Sequence, residues 1–496
     1  MKRSKHISRT ALCLLLILTS LLTTAGCGKS HSPVSTAPHQ TTVATIPAVP
    51  TTPAIPSTPS ADTEEPAAFG TPILRFAVTS DVHIREASAN MESYVRLEQF
   101  YKTAYAYSDA QTDYNKLDGI FFIGDLTNGG TPTQYTYFFD YVNTHTRTGT
   151  VARAVIGNHE FYATGYYTNT SLAQAPLKFL EYTGYEAVDS HQVIGGYHFI
   201  FLGMDLYSKN TNTYFSGEKQ QWLIKELNAA VADDPNKPIF VFQHQPPKNT
   251  VVGSYGQNGD AGLKVILEKY PQVIDFSGHS HRPLSNPRSI WQGNFTALNT
   301  GSLAYLSTVF PDHKSYKDGG ITATDKEGSW NTGDDASERN GGMYYIVEVD
   351  KNHTARVLIY NIFTESLWGE PYIIDSLNPA DFRYTDGRKK SAETPVFAEN
   401  AALTVASAGE TATITIPQAS CKDIVQCYRV EVYEGETLQG TYYALSCTYY
   451  GDATPSSVKA KIDKLTPGTA YTAKVYAVSS WAKESEPLKL DFTATN

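Results

Sequence analysis

Five short polar blocks, each placed directly after an apolar run, constrain the fold of this chain more than any other feature. In open α/β sheets a ligand site forms outside the carboxyl ends of the strands, so residues that are distant in sequence meet there. Apolar runs alternate with helical spacing over residues 73–300, which predicts an α/β sandwich in which the blocks converge on one site. The blocks are Asp81-Val82-His83, Gly124-Asp125, Gly157-Asn158-His159-Glu160, His244 and Gly278-His279-Ser280-His281.

The spacing inside the blocks suits a shared site. Asp81 and His83 lie two residues apart, as do His279 and His281. In an extended chain, residues at this spacing point to the same side. A glycine that comes just before the ligands is expected to let the backbone turn sharply. These glycines are Gly124, Gly157 and Gly278.

The blocks supply seven candidate metal ligands, which combine two Asp, one Asn and four His and include no thiolate. A mixed set of nitrogen and oxygen atoms suits Mn, Fe, Zn, Co or Ni rather than Ca, which prefers oxygen ligands alone. Seven ligands are too many for one tetrahedral ion and fit two ions that share one carboxylate, for which Asp125 is the natural bridge. The seven are Asp81, His83, Asp125, Asn158, His244, His279 and His281.

In order, identity and approximate spacing, the blocks from Asp81 to His281 resemble the calcineurin-like metallophosphoesterase family. The resemblance implies a four-layer α/β/β/α sandwich over residues 71–390. It also implies a phosphoric ester hydrolase with two divalent or mixed-valence transition metal ions, among which Mn, Fe and Zn are favoured. The family motif assigns Asp81, His83, Asp125 and His281 to one ion. It assigns Asp125, Asn158, His244 and His279 to the other.

The resemblance also implies a catalytic role for a residue that binds no metal. His159 is expected to face the substrate phosphate, where its imidazole stabilises the transition state or protonates the leaving oxygen. The implied nucleophile is a hydroxide that bridges the two ions and attacks phosphorus in line. Asn128 stands three residues after Asp125, where purple acid phosphatases carry a Tyr, so a ferric tyrosinate centre is disfavoured.

Several other polar residues are predicted to have structural roles. Glu160 is expected to shape its loop, and Arg85 and Arg282 are expected to be solvated. Whether Gly301-Ser302 lines the site is left open, as is whether the Gly-rich segment 308–342 is functional or disordered. Histidines outside the blocks are expected to be hydrogen-bonded core residues. They are His145, His191, His198, His313 and His353.

Residues 1–26 have the layout of a secretory signal, with basic residues, the apolar run 11–18 and small residues before Cys27. A Cys after Ala-Gly resembles the lipobox of bacterial lipoproteins, although Thr24 replaces the more usual Leu, so Cys27 is the predicted lipidation site. A transmembrane helix is the alternative, but the run is shorter than the ~20 residues that a bilayer span needs. We therefore predict an extracytoplasmic lipoprotein anchored to the bacterial cell membrane.

Residues 27–70 are predicted to be a disordered tether. Eight Pro stand among Ser, Thr, Ala and Val between residues 28 and 70, and such a composition buries too little apolar surface to fold. Removal of the signal takes away four basic and no acidic residues, which changes the formal net charge from −10 to −14. This acidity argues against nucleic acid as a partner.

Residues 394–496 alternate apolar and polar residues in seven short runs, which predicts an all-β immunoglobulin-like sandwich. The stretch from Leu465 to Tyr471 resembles the corner between strands E and F of a fibronectin type III domain, where the Tyr hydroxyl bonds back to the chain. Cys421, Cys427 and Cys447 lie in this region and permit one disulfide without fixing its pairing.

Together these features favour a metal-dependent hydrolase that cleaves a phosphodiester or a phosphomonoester outside the cytoplasm. The alternative is a catalytically inert cell-surface protein that binds through the fibronectin-like domain and keeps its function without metal. Nuclease action is disfavoured by the acidic charge. The C-terminal domain is left as a spacer or as a targeting module that contacts the cell wall or a glycan.

Overall fold

The computed structural model describes residues 69–85, 92–165, 168–205, 213–256, 258–307, 338–339, 342–446, 448 and 454–495. The predicted signal, Cys27, Cys447, His313 and almost all of the tether lie outside these ranges, as does most of segment 308–342. No helix within the described ranges is both long enough and apolar enough to cross a membrane. The predicted domain boundaries near residues 71, 390 and 394 stay predictions.

Strands and helices alternate through the first two thirds of the described chain. The first nine strands are β1 (Pro72–Thr79), β2 (Gly119–Ile123), β3 (Val151–Val155), β4 (Ser190–Ile194), β5 (Tyr197–Phe201), β6 (Ile239–Gln243), β7 (Val273–Ser277), β8 (Ile290–Gln292) and β9 (Thr296–Asn299). The next five are β10 (Leu306–Ser307), β11 (Glu338–Arg339), β12 (Met343–Asp350), β13 (Ala355–Asn361) and β14 (Ser366–Ile374). The helices are α1 (Glu92–Asp109), α2 (Pro132–His145), α3 (Asn169–Thr183), α4 (Gly217–Asp233), α5 (Ala261–Leu267) and α6 (Arg388–Ser391).

Two six-stranded sheets organise this region. The first has the order β14-β13-β12-β1-β2-β3, and the second has the order β4-β5-β6-β7-β9-β8. Strands β1, β2 and β3 run parallel to one another, as do β5, β6, β7 and β9. The carboxyl ends of the parallel strands therefore gather at one edge of each sheet.

The sheets pack face to face through a core that is rich in phenylalanine. The ring of Phe76 on β1 lies 5.3 Å from that of Phe199 and 5.1 Å from that of Phe240, both on the second sheet, between ring centroids. Helices cover the outer faces: Phe100 of α1 packs edge-on against Phe122 of β2, and α4 packs against β5. The predicted four-layer α/β/β/α sandwich is confirmed.

The helical spacing of Leu223 and Leu227 after Ser216 predicts a helix that Ser216 caps, and α4 begins there. Ser216 is its N-cap, and the Ser216 side chain accepts a hydrogen bond from the Lys219 backbone N–H. Such a cap satisfies one of the backbone donors that a helix leaves unpaired at its start. The helix buries Leu223 and Leu227 against the sheet, as their helical spacing predicts.

One topological expectation was wrong. In the sequence, the apolar runs 343–348 and 354–363 predict two strands that pair antiparallel with each other and complete a second sheet. They do pair as β12 and β13, but β12 also pairs antiparallel with β1, with Phe76 opposite Val347, so both strands extend the first sheet. The second sheet is instead completed by β4 and β8, short strands that pair antiparallel with β5 and β9.

The C-terminal region is all-β, as predicted. Its seven strands are β15 (Thr404–Ala408), β16 (Thr411–Pro417), β17 (Val425–Glu434), β18 (Thr437–Leu445), β19 (Ser457–Ile462), β20 (Ala470–Ser479) and β21 (Leu488–Thr493). They form one three-stranded and one four-stranded antiparallel sheet around a common apolar core. The Tyr471 hydroxyl accepts a hydrogen bond from Thr466 N at 2.9 Å, as the corner pattern predicts. The fibronectin type III likeness stays a prediction.

Cys421 and Cys427 are both free thiols. Burial raises the pKa of the Cys427 thiol well above its ordinary value, so this side chain behaves as a small apolar core residue rather than as a nucleophile.

Candidate active site

The predicted ligands stand at strand ends from both sheets. Asp81 and His83 follow β1, and Asp125 follows β2. Asn158 comes shortly after β3, His244 directly after β6, and His279 and His281 just after β7. Six of the seven side chains are buried and His279 is half-buried. The first sheet therefore contributes the carboxylates and the amide, and the second sheet contributes three of the four imidazoles.

The structure brings all seven side chains together. Their donor atoms form two groups that share one carboxylate, and within each group these atoms lie within 4.8 Å of one another. The first group is Asp81, His83, Asp125 and His281, and the second is Asp125, His244 and His279. Asn158 Oδ1 lies 3.1 Å from His244 Nε2, beside the second group. The grouping matches the predicted division between two ions, while metal ligation itself stays a prediction.

Two of the four imidazoles are oriented by backbone carbonyl groups. His244 Nδ1 donates to the Ile123 carbonyl at 2.7 Å, and His281 Nδ1 faces the Tyr305 carbonyl at 3.2 Å. Because a carbonyl only accepts, each Nδ1 carries a hydrogen, and Nε2 is the atom that faces the carboxylates. This is the orientation that a metal ligand needs.

The interior of the cluster suits a cation. His83 Nε2 lies 3.2 Å from His281 Nε2, so two nitrogen atoms face each other. Asp81 Oδ1 lies 2.9 Å from His281 Nε2 but has no partner with hydrogen-bond geometry. Buried acceptors that converge without enough donors are unfavourable unless a positive ion lies between them. The donor set therefore fits transition metal ions.

The ligands themselves occupy the left-handed backbone region. Five of the seven have φ between 50° and 69°, a conformation that is uncommon for residues other than glycine. They are Asp81, His83, Asp125, His279 and His281. The expectation that these pairs share a side because the chain is extended was therefore wrong. Sharp turns aim the side chains inward, and each such residue costs about 1–3 kcal/mol of backbone strain.

The glycines act in two different ways. Gly124 has φ 78°, so it makes the sharp turn that the sequence predicted. Gly157 and Gly278 do not have a positive φ, so neither makes the left-handed turn that Gly124 makes. A Cβ on Gly157 would lie 2.2 Å from Asp125 N, so this glycine provides space for the neighbouring ligand loop rather than a turn.

Glu160 holds two ligand loops together. Its side chain is fully buried and accepts hydrogen bonds from the backbone N–H groups of Asp125, Thr127 and Gly157, at 3.1, 2.9 and 2.7 Å. The Thr127 hydroxyl donates a further bond at 2.8 Å. Burial and the neighbouring Asp125 charge raise the pKa of Glu160 to about 7. Glu160 therefore has the expected structural role, which is to hold the Asp125 loop against the Gly157 loop.

Burial and the neighbouring charged groups shift the pKa values of the side chains in the cluster. Burial alone would raise the pKa of Asp81, but the facing imidazoles of His281 and His244 lower it to about 2. Burial lowers the pKa of His83 to about 3 and that of His279 to about 4. Burial would also lower the pKa of His244, but Asp125 and Asp81 raise it to about 9. His83 and His279 are therefore neutral at pH 7.

A segment from Thr300 to Ser307, here called the strap, ties the ligand loops of the two sheets together. Ala304 N donates to the Asp81 carbonyl at 3.1 Å, and Ser307 N donates to the His281 carbonyl at 2.8 Å. Gly301-Ser302 lies in the strap but does not line the cavity at the site; the Ser302 hydroxyl donates to the Asp81 carbonyl at 3.0 Å.

Arg282 differs from its expected solvated state. Its side chain is buried, and Nη1 donates to the carbonyl and hydroxyl oxygens of Ser307 at 2.9 and 3.0 Å. The guanidinium therefore fixes the end of the strap, because a buried arginine needs acceptors for its donors. Arg85 is exposed, as expected.

The candidate site opens into a cavity of about 230 Å³. His159 lies in its wall, where its backbone N donates to Asp125 Oδ1 at 2.8 Å and its Nδ1 faces the Asn128 carbonyl at 2.9 Å. Its Nε2 lies 3.8 Å from Asp125 Oδ2. Beside the predicted residues, the cavity is lined by Tyr162, Ser280, Tyr305 and Ser307.

Both tyrosines escaped the sequence analysis, because neither belongs to a ligand block. Asn158 Nδ2 donates to the Tyr162 hydroxyl at 3.2 Å, which turns the amide oxygen of Asn158 towards His244. The ring of Tyr305 packs on the imidazole of His281, with 4.2 Å between ring centroids. The only signal that pointed near Tyr305 was the adjacent Gly301-Ser302.

The remaining histidines in the described ranges lie away from the site. His198 is buried and its Nε2 pairs with Asp233, as a hydrogen-bonded core histidine would. His191 and His353 are half-buried and hydrogen-bonded. His145 was expected in the core but is exposed, stacked on Tyr141, because it ends α2 at the surface.

Comparison with known proteins supports the resemblance. Residues 74–283 match the model of the calcineurin-like phosphoesterase family, a stretch that contains all seven predicted ligands. A probable glycerophosphodiester phosphodiesterase, GpdQ of Arcobacter nitrofigilis, is 28% identical over 175 residues, which cover 34% of this chain and 58% of that protein. The chain thus spans less than two thirds of the length of that relative. Residues 74–283 of this chain are therefore the stretch that matches a calcineurin-like phosphoesterase domain.

Two solved structures are more distantly similar. GAP50, described as the anchor in the inner membrane complex of Plasmodium, is 14% identical with a TM-score of 0.38, over 63% of this chain and 91% of that one. Purple acid phosphatase PPD1 from yellow lupin seeds is 15% identical with a TM-score of 0.39, over 61% of this chain and 53% of that one. At TM-scores below 0.5, neither likeness bears on the function of this chain.

Substitution Glu160→Gln is expected to weaken metal binding without removing a ligand. The Gln amide would turn a donor towards backbone N–H donors, which costs about 1–3 kcal/mol and lets the Asp125 loop move. Metal content after dialysis, measured by elemental analysis, should fall, and so should the temperature of unfolding. The exposed Glu186→Gln variant is the matched control. Full metal content in Glu160→Gln would contradict this role.

Metal binding is expected to release about one proton at pH 7, because Nε2 of His244 must lose its proton to bind an ion. With a pKa of about 9, His244 is protonated below that pH in the metal-free protein. Metal affinity should therefore rise with pH up to about 9 and then level off. Calorimetric titration in buffers of different ionisation enthalpy counts the protons released. An affinity that is constant between pH 6 and pH 9 would show that an ion displaces no proton from His244 in this range.

Proposed function

We propose that this chain is a dinuclear metal-dependent phosphoric ester hydrolase that acts outside the cytoplasm. The observation that carries the proposal is the convergence of seven candidate ligands in two groups that share Asp125. This arrangement lies in a calcineurin-like phosphoesterase domain. The donor set suits Mn, Fe or Zn. Substrates in this proposal are phosphate esters, whether phosphodiesters or phosphomonoesters.

The side chains of the site have distinct tasks in this proposal. Two ions held by the two groups would lower the pKa of a water molecule and stabilise charge on the phosphoryl oxygens. His159 presents Nε2 to the cavity because Nδ1 faces the Asn128 carbonyl. In its charged form this imidazole donates a proton to the leaving oxygen, which is general acid catalysis. Asn158 is held in place by Tyr162.

The inert surface-binding protein receives less support from the structure. A protein that keeps the fold without the chemistry has no need to hold five residues in strained left-handed conformations. Nor does it need a buried Glu160 that fixes the ligand loops. These features favour the enzyme, and the inert protein is kept as an outcome of the assay below.

Location outside the cytoplasm is proposed from sequence alone. The basic and apolar layout of residues 1–26 and the Ala-Gly-Cys stretch that ends at Cys27 support a lipid anchor on the bacterial cell membrane. The Pro-rich tether would then hold the domain away from that surface. The C-terminal sandwich is proposed to resemble fibronectin type III domains and to act as a spacer or to contact the cell wall or a glycan.

The chain without its signal is expected to hydrolyse bis(p-nitrophenyl) phosphate or p-nitrophenyl phosphate when Mn²⁺ is added, and to stop when the metal is chelated. Asp125→Ala should lower turnover by roughly a thousandfold or more, because it removes the carboxylate that both groups share. Asp113→Ala, at an exposed position, is the matched control. Turnover that survives chelation would refute the metal mechanism. A fully loaded protein without turnover of any ester would favour the inert binding protein.

Lipidation can be tested on the full-length chain in a bacterial host. The wild type should partition into the detergent phase, and its first mature peptide should carry the mass of a diacylglyceryl group on Cys27. Cys27→Ala should move the protein to the aqueous phase. An unmodified Cys27 in a membrane-bound protein would instead favour the transmembrane alternative.

A further inference from the structure

We propose that Tyr305 is a specificity-determining residue, which selects phosphodiesters whose non-leaving ester group carries a flat ring. The inference rests on the proposed hydrolase function and names the substrate class of that same site. It is carried by three observations: the placement of the Tyr305 ring in the cavity, the way its backbone is held, and the charge of the cavity wall.

The ring of Tyr305 forms part of the cavity wall. It packs on His281 with 4.2 Å between ring centroids and lies 5.9 Å from the ring of His83. The side chain is half-buried and lines the same cavity as His159 and the predicted ligands. A non-leaving ester group that extends from the phosphorus towards this side therefore meets an aromatic surface directly beside the reacting centre.

The backbone of Tyr305 is held from both sides. Tyr305 N faces the Ser302 hydroxyl at 3.3 Å, and the Tyr305 carbonyl faces His281 Nδ1 at 3.2 Å. One residue earlier, Ala304 N bonds to the Asp81 carbonyl, and two residues later Arg282 holds Ser307. A ring carried on backbone that is fixed in this way loses little further freedom when a ligand packs on it.

Tyr162, the other tyrosine that lines the cavity, has a different task. Its hydroxyl accepts from Asn158, and its ring lies 4.2 Å from that of His159. Tyr162 therefore supports a predicted ligand and the proposed proton donor. The contacts of Tyr305 with His281 Nδ1 and the Ser302 hydroxyl are made by its backbone carbonyl and N, so the ring can be changed while these backbone contacts stay in place.

The charge of the cavity favours a diester. Among the described residues that line it there is no Lys or Arg. Two divalent ions held beside the carboxylates of Asp81 and Asp125 would leave two positive charges, which one hydroxide and one phosphodiester anion would neutralise. A phosphomonoester dianion would leave unmatched negative charge in a buried site, which is unfavourable. Esters with additional phosphate groups would be disfavoured for the same reason.

The test compares three substrates that share one leaving group, using the Mn²⁺-loaded chain without its signal. Bis(p-nitrophenyl) phosphate is the ring-bearing diester, methyl p-nitrophenyl phosphate is the diester without a second ring, and p-nitrophenyl phosphate is the monoester. We expect kcat/KM to be at least about tenfold higher for the ring-bearing diester than for the monoester. Tyr305→Ala should lower the ratio of the two diesters roughly five- to tenfold, and Tyr305→Phe should preserve it.

A binding measurement supports the assay without requiring turnover. Diphenylphosphinate and dimethylphosphinate carry the same single charge and contain no ester bond to cleave. Calorimetry should show that the wild type binds the diphenyl compound roughly five- to tenfold more tightly, and that Tyr305→Ala removes the difference. Tyr137→Ala, at an exposed tyrosine, is the matched control. Tyr305→Leu, which keeps apolar bulk without a flat ring, replaces Tyr305→Ala if that variant unfolds.

The outcomes separate the inference from the proposed function. If the wild type cleaves esters but Tyr305→Ala and Tyr305→Leu leave both the diester ratio and the phosphinate preference unchanged, the role of Tyr305 is refuted while the hydrolase stands. A preference for the monoester overturns the charge argument. If no ester is cleaved, the hydrolase fails, and the phosphinate affinities still decide whether Tyr305 recognises a ring.

Discussion

Face-to-face packing of the two sheets is the constraint on which the candidate site depends. The first sheet brings Asp81 and Asp125, and the second brings His244 and His281, so no group of ligands is complete on either sheet. The aromatic core around Phe76 fixes the distance between the sheets. Because protein interiors are closely packed, a change in that spacing would move one half of the ligands relative to the other.

Hydrogen bonds between the ligand loops of the two sheets fix the positions of the candidate ligands relative to one another. His244 Nδ1 reaches the Ile123 carbonyl of the first sheet, and His279 N reaches Asp81 Oδ2 at 3.1 Å. The strap adds contacts from the second sheet to the Asp81 loop. These bonds offset the strain of the left-handed ligands, so the donor atoms are arranged before any ion arrives. Such preorganisation is what a site for charged transition states requires.

Much of this arrangement was readable from the sequence, because buried parallel strands form continuous apolar runs and polar residues at their ends stand out. The blocks around Asp125 and His244 could be found in this way. The left-handed backbone could not, since no local propensity places a histidine there and only the surrounding contacts maintain it. The pairing of β12 with β1 could not be predicted either, because an apolar run does not show which strand it pairs with. Arg282 was misjudged because its acceptors lie 25 residues away, in the strap.

In the proposed enzyme, the strap allows the recognition of the ester group to vary while the candidate ligands keep their positions. Its support of the ligand loops uses backbone atoms of Ala304, Tyr305 and Ser307 and the hydroxyl of Ser302. Nearly any side chain at position 305 would leave those backbone contacts in place, whereas the ring of Tyr305 lies on the cavity wall. Orientation of the ligands and recognition of the ester group are therefore assigned to different atoms of one residue. A substitution at position 305 is therefore expected to change which ester groups bind while the orientation of the candidate ligands is kept.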